Sequence, residues 1–573
     1  MIGRDGEEGG LADQRLMQPN EGATRLPFAS PWRFWLLLMA ASLITGVLVG
    51  LLMMIMHGAQ HMSYAYGHGP FQKAIARVSP LRRVVVLAAA GALAALVVYV
   101  LKRDVPGHGG ELTETIWFRA GQMSFWKTLG QSVLSVTVVG MGASLGREGA
   151  PKQMGAATAA VGARLFRLGP AEGRLLVACC AGAAMGAVYN VPLGGALFSL
   201  EVLLGSLTLP LMLPALTSAF VATWASWMIL PDRPTYTVAS HGTHAALIIW
   251  ALMCGPLFGL GSVVFIRLII WADRVKPKRG VFMIMPLVAF TLLGFTAIRY
   301  PQLLGNGKDV TQEIFDGALA LPLLAALVLL KPLATAACLA SGAPGGLFTP
   351  SLTFGAIMGG LAGRLWVLAW PGTSVEACAL VGAVTAIAVT MQAPLSAFIL
   401  FAELTHHVLS LMIPMIASVT AAMLTARRLE PRSVYSGKIY AGRSGAHAAR
   451  ARPMPALAPW FTDKVAVVSA AADYTEVLTR VLETPDGAGY VYVVDEKGGL
   501  LGRIGRARAL RPGRLSPILS ASAAYDLVEA VAALGEGAGP DEVEGRLRGE
   551  PDGEWPVVER GTNRLLGVVR AAF

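Results

Sequence analysis

One acidic residue, Glu148, lies in a glycine-rich break between apolar segments, in the run Gly146-Arg147-Glu148-Gly149. An ionisable side chain among apolar segments is costly and is therefore usually functional. A glycine-rich break that starts a helix leaves the first backbone N–H groups open, at the positive end of the helix dipole. The pattern predicts an anion site with a carboxylate beside it. The alternative is a structural carboxylate that pairs with Arg147 at a helix start.

Two further breaks have the same composition. They are Gly107-His108-Gly109-Gly110 and the run from Gly342 to Pro350, which contains Gly346, Leu347 and Phe348. Backbone N–H groups attract an anion with partial charges and do not hold it as tightly as a full cation would. Each break alone could be a loop or a packing face of small residues. The three together indicate backbone anion sites.

Two stretches of the chain repeat the same order of features. Pro192 and Pro394 are each followed by Leu and an apolar run, and an acid, Glu201 or Glu403, follows nine residues after the proline. A glycine-rich break ending in proline precedes each copy. Chance similarity of helices rich in small residues is the alternative to two related halves, which are common in transporters. We expect both acids to be structural and hydrogen-bonded within the helix bundle.

The elements that must position these residues are membrane helices. The chain has 573 residues, 54% hydrophobic and 14% charged, whereas soluble domains carry about 25% charged residues. Runs at 34–56 and 84–101 reach the about 20 residues that span a bilayer. Other runs are broken by Gly and Pro, which is tolerated at membrane depth only around cavities or within protein. The sequence predicts an all-α polytopic membrane protein with broken half-helices.

The net charge of +11 does not indicate a nucleic-acid partner. Basic residues flank the apolar segments, as in Arg82-Arg83, Lys102-Arg103 and Arg427-Arg428, which is typical of segments retained on the cytoplasmic side. Residues 1–31 are polar and lack the short apolar core of a signal peptide. We expect a protein of the inner (plasma) membrane with both termini in the cytoplasm.

The cysteines carry no metal-ligand or disulfide spacing. All lie in apolar runs, and we expect small buried thiols and no metal site. They are Cys179, Cys180, Cys254, Cys338 and Cys378.

Composition changes after about residue 437. We expect a linker at 441–463 and a small cytoplasmic α+β domain at 464–573. A strand, a helix at 474–482 and a hairpin at 490–504 are followed by a second copy at 525–534, 555–558 and 565–569, and 493–502 matches 557–567 with one inserted residue. This arrangement resembles a pair of CBS modules.

Four motifs in this order resemble the CLC family of chloride channels and chloride/proton exchangers. They are Gly146-Arg147-Glu148-Gly149, Gly346-Leu347-Phe348-Thr349-Pro350, Asn190-Val191-Pro192-Leu193 and the segment Pro431–Ser436 with Tyr435. The resemblance covers roughly residues 32–440. It implies a homodimer with one anion pathway in each subunit, no enzymatic activity and no cofactor.

The resemblance also implies roles for individual residues. Glu148 would be the gate, since its carboxylate can occupy the place of the anion when charged and can swing away when protonated or displaced. Tyr435 would donate its hydroxyl to the anion, and backbone N–H groups would face it. The implied anion-binding set is His108, Gly109, Gly146, Arg147, Glu148, Gly149, Gly346, Leu347, Phe348 and Tyr435.

Four positions depart from the family pattern. Ala150 stands where proline is expected and Pro151 follows, which should shift the helix start only slightly. His108 replaces the usual Ser, so an imidazole could contact the anion and make conduction sensitive to pH; alternatively it turns away and only the backbone serves. Val202 replaces the internal glutamate of proton-coupled members, and valine cannot relay a proton.

The fourth departure concerns the CBS-like pair. Gly505 and Arg508 stand where nucleotide-binding modules carry Ser/Thr and Asp, and the second copy ends before its motif completes. We expect no binding of ATP or AMP.

Because of Val202, passive channel-like conduction of chloride is the leading hypothesis and proton-coupled exchange is the alternative. A divalent-cation transporter would need clustered carboxylates or carbonyls near the bilayer midplane, whereas the acids here are scattered. An intramembrane enzyme would need a nucleophile or a metal set such as His-Glu-x-x-His, and we find none in the sequence.

Overall fold

A computed structural model of the chain describes most of the membrane part and shorter stretches after it. The described residues are 31–67, 69–103, 112–118, 121–168, 170–276, 284–406 and 409–436, and stretches between 461 and 570. The helices up to residue 204 are α1 (Pro31–Tyr64), α2 (Phe71–Arg77), α3 (Pro80–Arg103), α4 (Leu112–Phe118), α5 (Phe125–Gly140), α6 (Gly149–Leu165), α7 (Pro170–Tyr189) and α8 (Pro192–Leu197), which continues as a π-helix (Phe198–Leu204).

The second part of the bundle begins at Leu209. Its helices are α9 (Leu209–Ser226), α10 (Ala245–Arg274), α11 (Met285–Arg299), α12 (Lys308–Phe315), α13 (Leu321–Ala340), α14 (Phe348–Ala369), α15 (Val375–Met391), α16 (Pro394–Thr405) and α17 (Met412–Leu429). Two single 3-10 turns, Pro301–Leu303 and Leu409–Leu411, connect them.

The bundle contains both long and short apolar helices. Within the described ranges, six helices are long and apolar enough to cross a bilayer, namely α1, α3, α9, α10, α13 and α14. Others are short and apolar, such as α8 with its π-helical extension, α11, α15 and α16. The prediction of an all-α polytopic protein with broken segments is confirmed.

Glycines set the closest helix contacts at equivalent places in the two halves. On α6, a Cβ at Gly155 would overlap the carbonyl oxygen of Cys180 on α7. On α14, a Cβ at Gly355 would lie 2.5 Å from the carbonyl oxygen of Gly382 on α15. Small residues at such positions let membrane helices pack backbone to backbone. The abundance of glycine in this chain is therefore part of its packing.

Each of the two repeated acids accepts hydrogen bonds from the helix start of the other copy. Glu201 accepts hydrogen bonds from the backbone N–H groups of Leu395 (3.2 Å) and Ser396 (2.6 Å), at the start of α16. Glu403 accepts from those of Leu193 (3.0 Å) and Gly194 (2.6 Å), at the start of α8. Each acid therefore satisfies the open N–H groups of the helix that begins the other copy. The expectation of structural, hydrogen-bonded acids is confirmed, and the two halves are related by a reciprocal exchange.

Arg83, which the sequence suggested as an exposed basic residue flanking an apolar segment, lies inside the bundle. It is buried, and its guanidinium donates to the carbonyl oxygens of Ile75 (3.0 Å), Ala76 (3.1 Å) and Ala297 (3.1 Å), among others. A guanidinium can make several such bonds in a fixed fan. Arg83 thus joins the ends of α2 and α11 to the start of α3 and is not an exposed flanking charge. The buried thiols expected for the five cysteines are confirmed.

The part after residue 460 contains two small sheets. Strands β1 (Phe461–Thr462), β5 (Leu534–Gly535), β6 (Glu554–Val558) and β7 (Leu565–Arg570) form one sheet in the order β1-β7-β6-β5. Strands β2 (Val467–Ser469), β3 (Tyr490–Val494) and β4 (Leu500–Gly505) form the other, in the order β2-β3-β4, and helix α18 (Tyr474–Glu483) follows β2.

The two hairpins repeat one detail. The β3–β4 ladder shifts register between Val493 and Val494, and the β6–β7 ladder shifts between Val557 and Val558. Both hairpins and the helix at 474–482 are confirmed, and the α+β region has the strands expected of a CBS-like domain. Most of the predicted segment 525–534 lies outside the described residues.

Candidate functional site

Two of the glycine-rich breaks meet inside the helix bundle. Gly146 and Gly346 pair in antiparallel fashion, and each backbone N–H donates to the carbonyl oxygen of the other at 2.8 Å. Immediately after them, α6 begins at Gly149 and α14 begins at Phe348. Both breaks therefore start helices, as the sequence indicates, and the two helix N-termini are held next to each other.

The carboxylate of Glu148 occupies the space between these helix starts. Its side chain is fully buried. Oε1 accepts a hydrogen bond from the backbone N–H of Phe348 at 2.7 Å. Oε2 accepts from the Tyr189 hydroxyl at 2.9 Å and lies 3.3 Å from the Thr349 hydroxyl. The acid that the sequence marks as a gate thus sits where an anion would find hydrogen-bond donors.

Glycine is required on both sides of this carboxylate. A Cβ built at Gly146 or at Gly346 would overlap the carboxylate atoms of Glu148. The glycines thus leave the room that the buried acid fills. This gives a physical reason for glycine at both positions in the two motifs.

Tyr189 and Thr349 complete the ligation of the carboxylate, and the sequence patterns did not single out either residue. Their hydroxyl oxygens are 2.5 Å apart, and both side chains are buried. Tyr189 directly precedes the Asn190-Val191-Pro192 motif, and Thr349 lies inside the second glycine-rich motif. The sequence signal that could have identified them is a hydroxyl next to each break, because a buried hydroxyl needs a hydrogen-bond partner.

Arg147 does not neutralise the neighbouring acid. Its guanidinium carbon lies 4.8 Å from the centre of the Tyr189 ring, and Nη2 donates to the Val188 carbonyl oxygen at 3.4 Å. No ion pair between Arg147 and Glu148 occurs among the described residues. A cation over an aromatic face is attracted by the ring quadrupole, so Arg147 makes a cation–π contact that helps to hold the Tyr189 ring in place. An anion contact of the Arg147 side chain stays a prediction.

A cavity of about 240 Å³ opens on one side of the two helix starts. Gly149, Gly346, Leu347 and Tyr435, all predicted to bind the anion, line it. Lys152, one turn into α6, also lines it and donates from Nζ to the Tyr435 oxygen at 3.3 Å. The structure therefore brings four of the predicted residues, from three motifs, together around one polar cavity.

A smaller cavity of about 60 Å³ is lined by Arg147 and by the loop that leads into α12. Lys308 and Asp309 lie in its wall, together with His57 from α1. Burial, reinforced by the charge of Arg147, lowers the pKa of Lys308 to about 8. Glu148 therefore stands in the chain between Arg147, which lines the smaller cavity, and Gly149, which lines the larger one.

Of three further predicted site residues, the structure describes only Val202. His108 and Gly109 lie outside the described residues. Val202 lies in the π-helix after α8, next to Glu201, and packs partly buried against the apolar core. Single π-helical turns are frequent at functional sites, but the side chain at 202 offers no group that exchanges a proton. Within the described residues, no group of three His, Cys, Asp or Glu could hold a metal ion.

Comparison with known proteins agrees with this geometry. The family model described as "Voltage gated chloride channel" matches residues 90–427, more than half of the chain. The "Voltage-gated ClC-type chloride channel ClcB" of Citrobacter koseri is 32% identical over 386 residues, which cover 64% of this chain and 89% of that protein. The "H(+)/Cl(-) exchange transporter ClcA" of Vibrio campbellii is 27% identical over 430 residues, covering 71% and 90%.

A solved structure shares the fold. It is that of a slow cyanobacterial Cl-/H+ antiporter, with a TM-score of 0.62 and 22% identity, covering 72% of this chain and 99% of that one. The motifs, the helix bundle and the family match identify the same group of proteins, which the sequence resemblance had indicated. The chain belongs to the CLC family of chloride channels and chloride/proton exchangers, and it is a multi-pass membrane protein that transports anions.

Proposed function

We propose that the chain conducts chloride or another small inorganic anion passively, along a pathway that the Glu148 carboxylate closes. The observation that carries the proposal is the ligation of this carboxylate by the N–H of Phe348 and the hydroxyl of Tyr189. The same donors would serve an anion once the carboxylate leaves, because donors at helix starts favour negative charge. Protonation or displacement of Glu148 would open the pathway.

Passive conduction is favoured over coupled transport by the residue at position 202. A proton that enters from the side of the larger cavity would need a titratable relay toward Glu148, and Val202 has none. The similarity to a protein named as the ClcB chloride channel supports the same choice.

Proton-coupled anion exchange is the second candidate. It is favoured by the similarity to a protein named as an H(+)/Cl(-) exchange transporter and by the fold of a Cl-/H+ antiporter. In an exchanger, Glu148 would carry the proton as well as block the anion, and a water-filled route or another acid would replace the side chain at 202.

The purified chain, reconstituted in liposomes under a chloride gradient, distinguishes the two. Chloride efflux and external pH are recorded together. Chloride efflux without proton movement supports the channel, provided that Glu148→Ala abolishes this efflux or leaves it unregulated. Proton uptake against its gradient, in fixed proportion to chloride, supports the exchanger. Chloride retention in both the wild type and Glu148→Ala, with intact flux of another anion, directs attention to the selectivity position.

That position is His108. We infer that its imidazole contacts the anion, because a neutral imidazole donates one hydrogen bond and a protonated one adds charge. His108→Ser is expected to change either the order of anion selectivity or the pH profile of flux. If both stay as in the wild type, only the backbone at this break serves the anion.

We further infer a homodimer in the inner (plasma) membrane with both termini in the cytoplasm, and a CBS-like pair at 464–573 that contacts the partner or regulates transport without adenine nucleotides. The domain boundaries 1–31, 32–440 and 441–463 belong to the same proposal. Cross-linking in membranes tests the dimer, and protease access from each side tests the termini. Calorimetric titration with ATP and AMP tests the absence of nucleotide binding; a micromolar Kd would contradict it.

A further inference from the structure

A buried lysine on α13 belongs neither to the ligands of Glu148 nor to the lining of either cavity. Lys331 lies in the middle of this helix, which leads into the second glycine-rich break, and its side chain is 1% exposed. A charged side chain inside a membrane bundle is costly unless it has a function or strong compensation. Its contacts therefore indicate what it does.

The ammonium of Lys331 holds one loop of the backbone. Nζ donates to the carbonyl oxygens of Leu303 (2.9 Å), Gly305 (3.2 Å) and Gln302 (3.3 Å). These three residues lie between α11 and α12, in the segment 300–307, which we call the α11–α12 loop. A lysine ammonium has three donors, and the three carbonyl oxygens use all of them. Lys331 is thus a holder of this loop and not a ligand for an anion.

The α11–α12 loop forms a wall of the smaller cavity. Leu304, Gly305, Asn306 and Gly307 line this cavity, and Lys308 follows them directly in the same wall. The backbone N–H of Lys308 donates to Asn306 Oδ1 at 3.1 Å. The place of the Lys308 charge in the cavity wall therefore depends on the conformation of the loop that Lys331 holds.

The same loop is joined to the segment just before the first glycine-rich break. The backbone N–H of Gly305 donates to the carbonyl oxygen of Gly142 at 2.8 Å. Both glycines have left-handed backbone conformations, with φ of +72° and +106°, which favour glycine because it has no Cβ. One turn after Lys331, the Thr335 hydroxyl lies 3.5 Å from that of Ser144. Helix α13 thus supports this segment directly and through the loop.

We propose that Lys331 is a positioning residue of the anion pathway: its ammonium fixes the α11–α12 loop, and the loop fixes the cavity wall that carries Lys308. The inference rests on the proposed anion pathway and deepens it. A cation held in the wall of a cleft raises the local concentration of anions and speeds their association. Without Lys331, three carbonyl oxygens would lose this donor inside the protein, and the loop would rearrange because buried carbonyl groups need partners.

Hydrogen–deuterium exchange of the purified full chain in detergent tests whether Lys331 holds the loop. Lys331→Met is expected to speed the exchange of backbone amides at 303–308 by about tenfold or more, because the loop would open locally at a lower free-energy cost. Lys331→Arg keeps the charge and several donors, and it should stay within about threefold of the wild type. The matched control is Leu333→Met, on the same helix with a side chain that is 54% exposed, which should leave this exchange unchanged.

Liposome flux at increasing chloride concentrations tests whether the loop acts on the pathway. Lys331→Met is expected to raise the half-saturating chloride concentration by about threefold to tenfold, because the entering anion loses a fixed positive charge. The maximal flux per folded protein should stay within about twofold, whereas a loss of stability alone would lower the maximal flux and leave the half-saturating concentration unchanged. In the Lys308→Met background, Lys331→Met should raise this concentration no further, since both changes remove the same charge from the wall.

Lys331→Gln is the second neutral variant if Lys331→Met does not fold, as judged by gel filtration. Unchanged loop exchange in a folded neutral variant would overturn the inference, and so would faster exchange with an unchanged half-saturating concentration. A full effect of Lys331→Met in the Lys308→Met background would contradict the route through Lys308. Absence of any anion flux in the wild type and in Glu148→Ala contradicts the proposed function instead, and the exchange measurement then still decides whether Lys331 holds the loop.

Discussion

Glu148 and Phe348 come from opposite halves of the chain, and the backbone N–H of Phe348 donates to Glu148 Oε1 at 2.7 Å. The acid follows the first glycine-rich break and the donor starts the helix after the second. The paired glycines at 146 and 346 hold the two breaks side by side. The contact that would close the proposed pathway therefore joins the two halves, and we expect changes on either side of it to alter transport.

Replacing Glu148 with glutamine tests whether the charge or the size of this side chain closes the proposed pathway. Glu148→Gln retains the size of the side chain but loses the charge that the donors around it stabilise. We expect anion flux in liposomes to become independent of pH between about pH 5 and 7, because the amide at position 148 carries no charge at any pH. A pH profile unchanged from the wild type would place the pH-sensitive closure at another residue.

Adding one methyl group at the second break should displace the carboxylate. An alanine Cβ at position 346 would overlap the Glu148 carboxylate, while the backbone of Gly346 does not adopt a left-handed conformation. We expect Gly346→Ala to raise anion flux toward that of Glu148→Ala. The matched control is Gly58→Ala, since no atom lies within 4 Å of a Cβ at that position.

The double variant tests the steric cause. In the Glu148→Ala background, the methyl group at 346 meets no carboxylate and should add nothing to the flux. A further loss or gain there would show that Gly346→Ala acts through the backbone pairing with Gly146 instead.

Removing the Tyr189 hydroxyl should weaken the closed state. The bond from this hydroxyl to Glu148 Oε2 is 2.9 Å long, and a hydrogen bond to a charged group is worth about 1.5–3 kcal/mol. Tyr189→Phe is therefore expected to raise flux at neutral pH by about tenfold or until opening is no longer limiting. In the Glu148→Ala background the substitution should have no effect; equal effects in both backgrounds would mean that the hydroxyl acts on the anion and not on the gate.

The two exchanged acids should contribute equally to stability. Glu201 caps α16 and Glu403 caps α8 by the same pair of backbone bonds. Loss of a helix cap costs about 0.5–2 kcal/mol. Glu201→Gln and Glu403→Gln are each expected to lower the melting temperature of the detergent-solubilised protein by similar amounts. A loss confined to one variant would contradict their structural equivalence.

Transport should fall as the pH rises through the pKa of Lys308. Burial and the charge of Arg147 lower this pKa to about 8, with Arg233 lowering it and Asp309 raising it. Below pH 8 the ammonium adds positive potential to the smaller cavity, also lined by His57, and above it that potential is lost. We expect flux at symmetrical pH to fall roughly twofold to fivefold between about pH 7 and 9, because positive clefts speed anion association.

The matched variant for this pH effect is Lys308→Arg. Arginine stays protonated over the whole range, so its flux should not fall between neutral and alkaline pH. Identical alkaline declines in the wild type and in Lys308→Arg would assign the effect to a different group.

The sequence by itself determined the class of protein and the position of its breaks. Apolar runs, glycine-rich interruptions and two proline-led copies are local patterns, and local patterns record which segments must be helical and where a helix must start. They placed Glu148 before a helix N-terminus and identified Glu201 and Glu403 as structural acids. The burial of the five cysteines was likewise evident from their apolar neighbours.

Only the tertiary structure decided what each break faces. The contacts of Glu148 with Phe348 and Tyr189, and of Lys152 with Tyr435, join residues from 41 to 283 positions apart. No periodicity in the chain encodes such pairs, since they arise when whole helices pack through their small residues. Tyr189 therefore looked like an ordinary helix residue in the sequence, and it became a ligand of the Glu148 carboxylate only in the folded bundle.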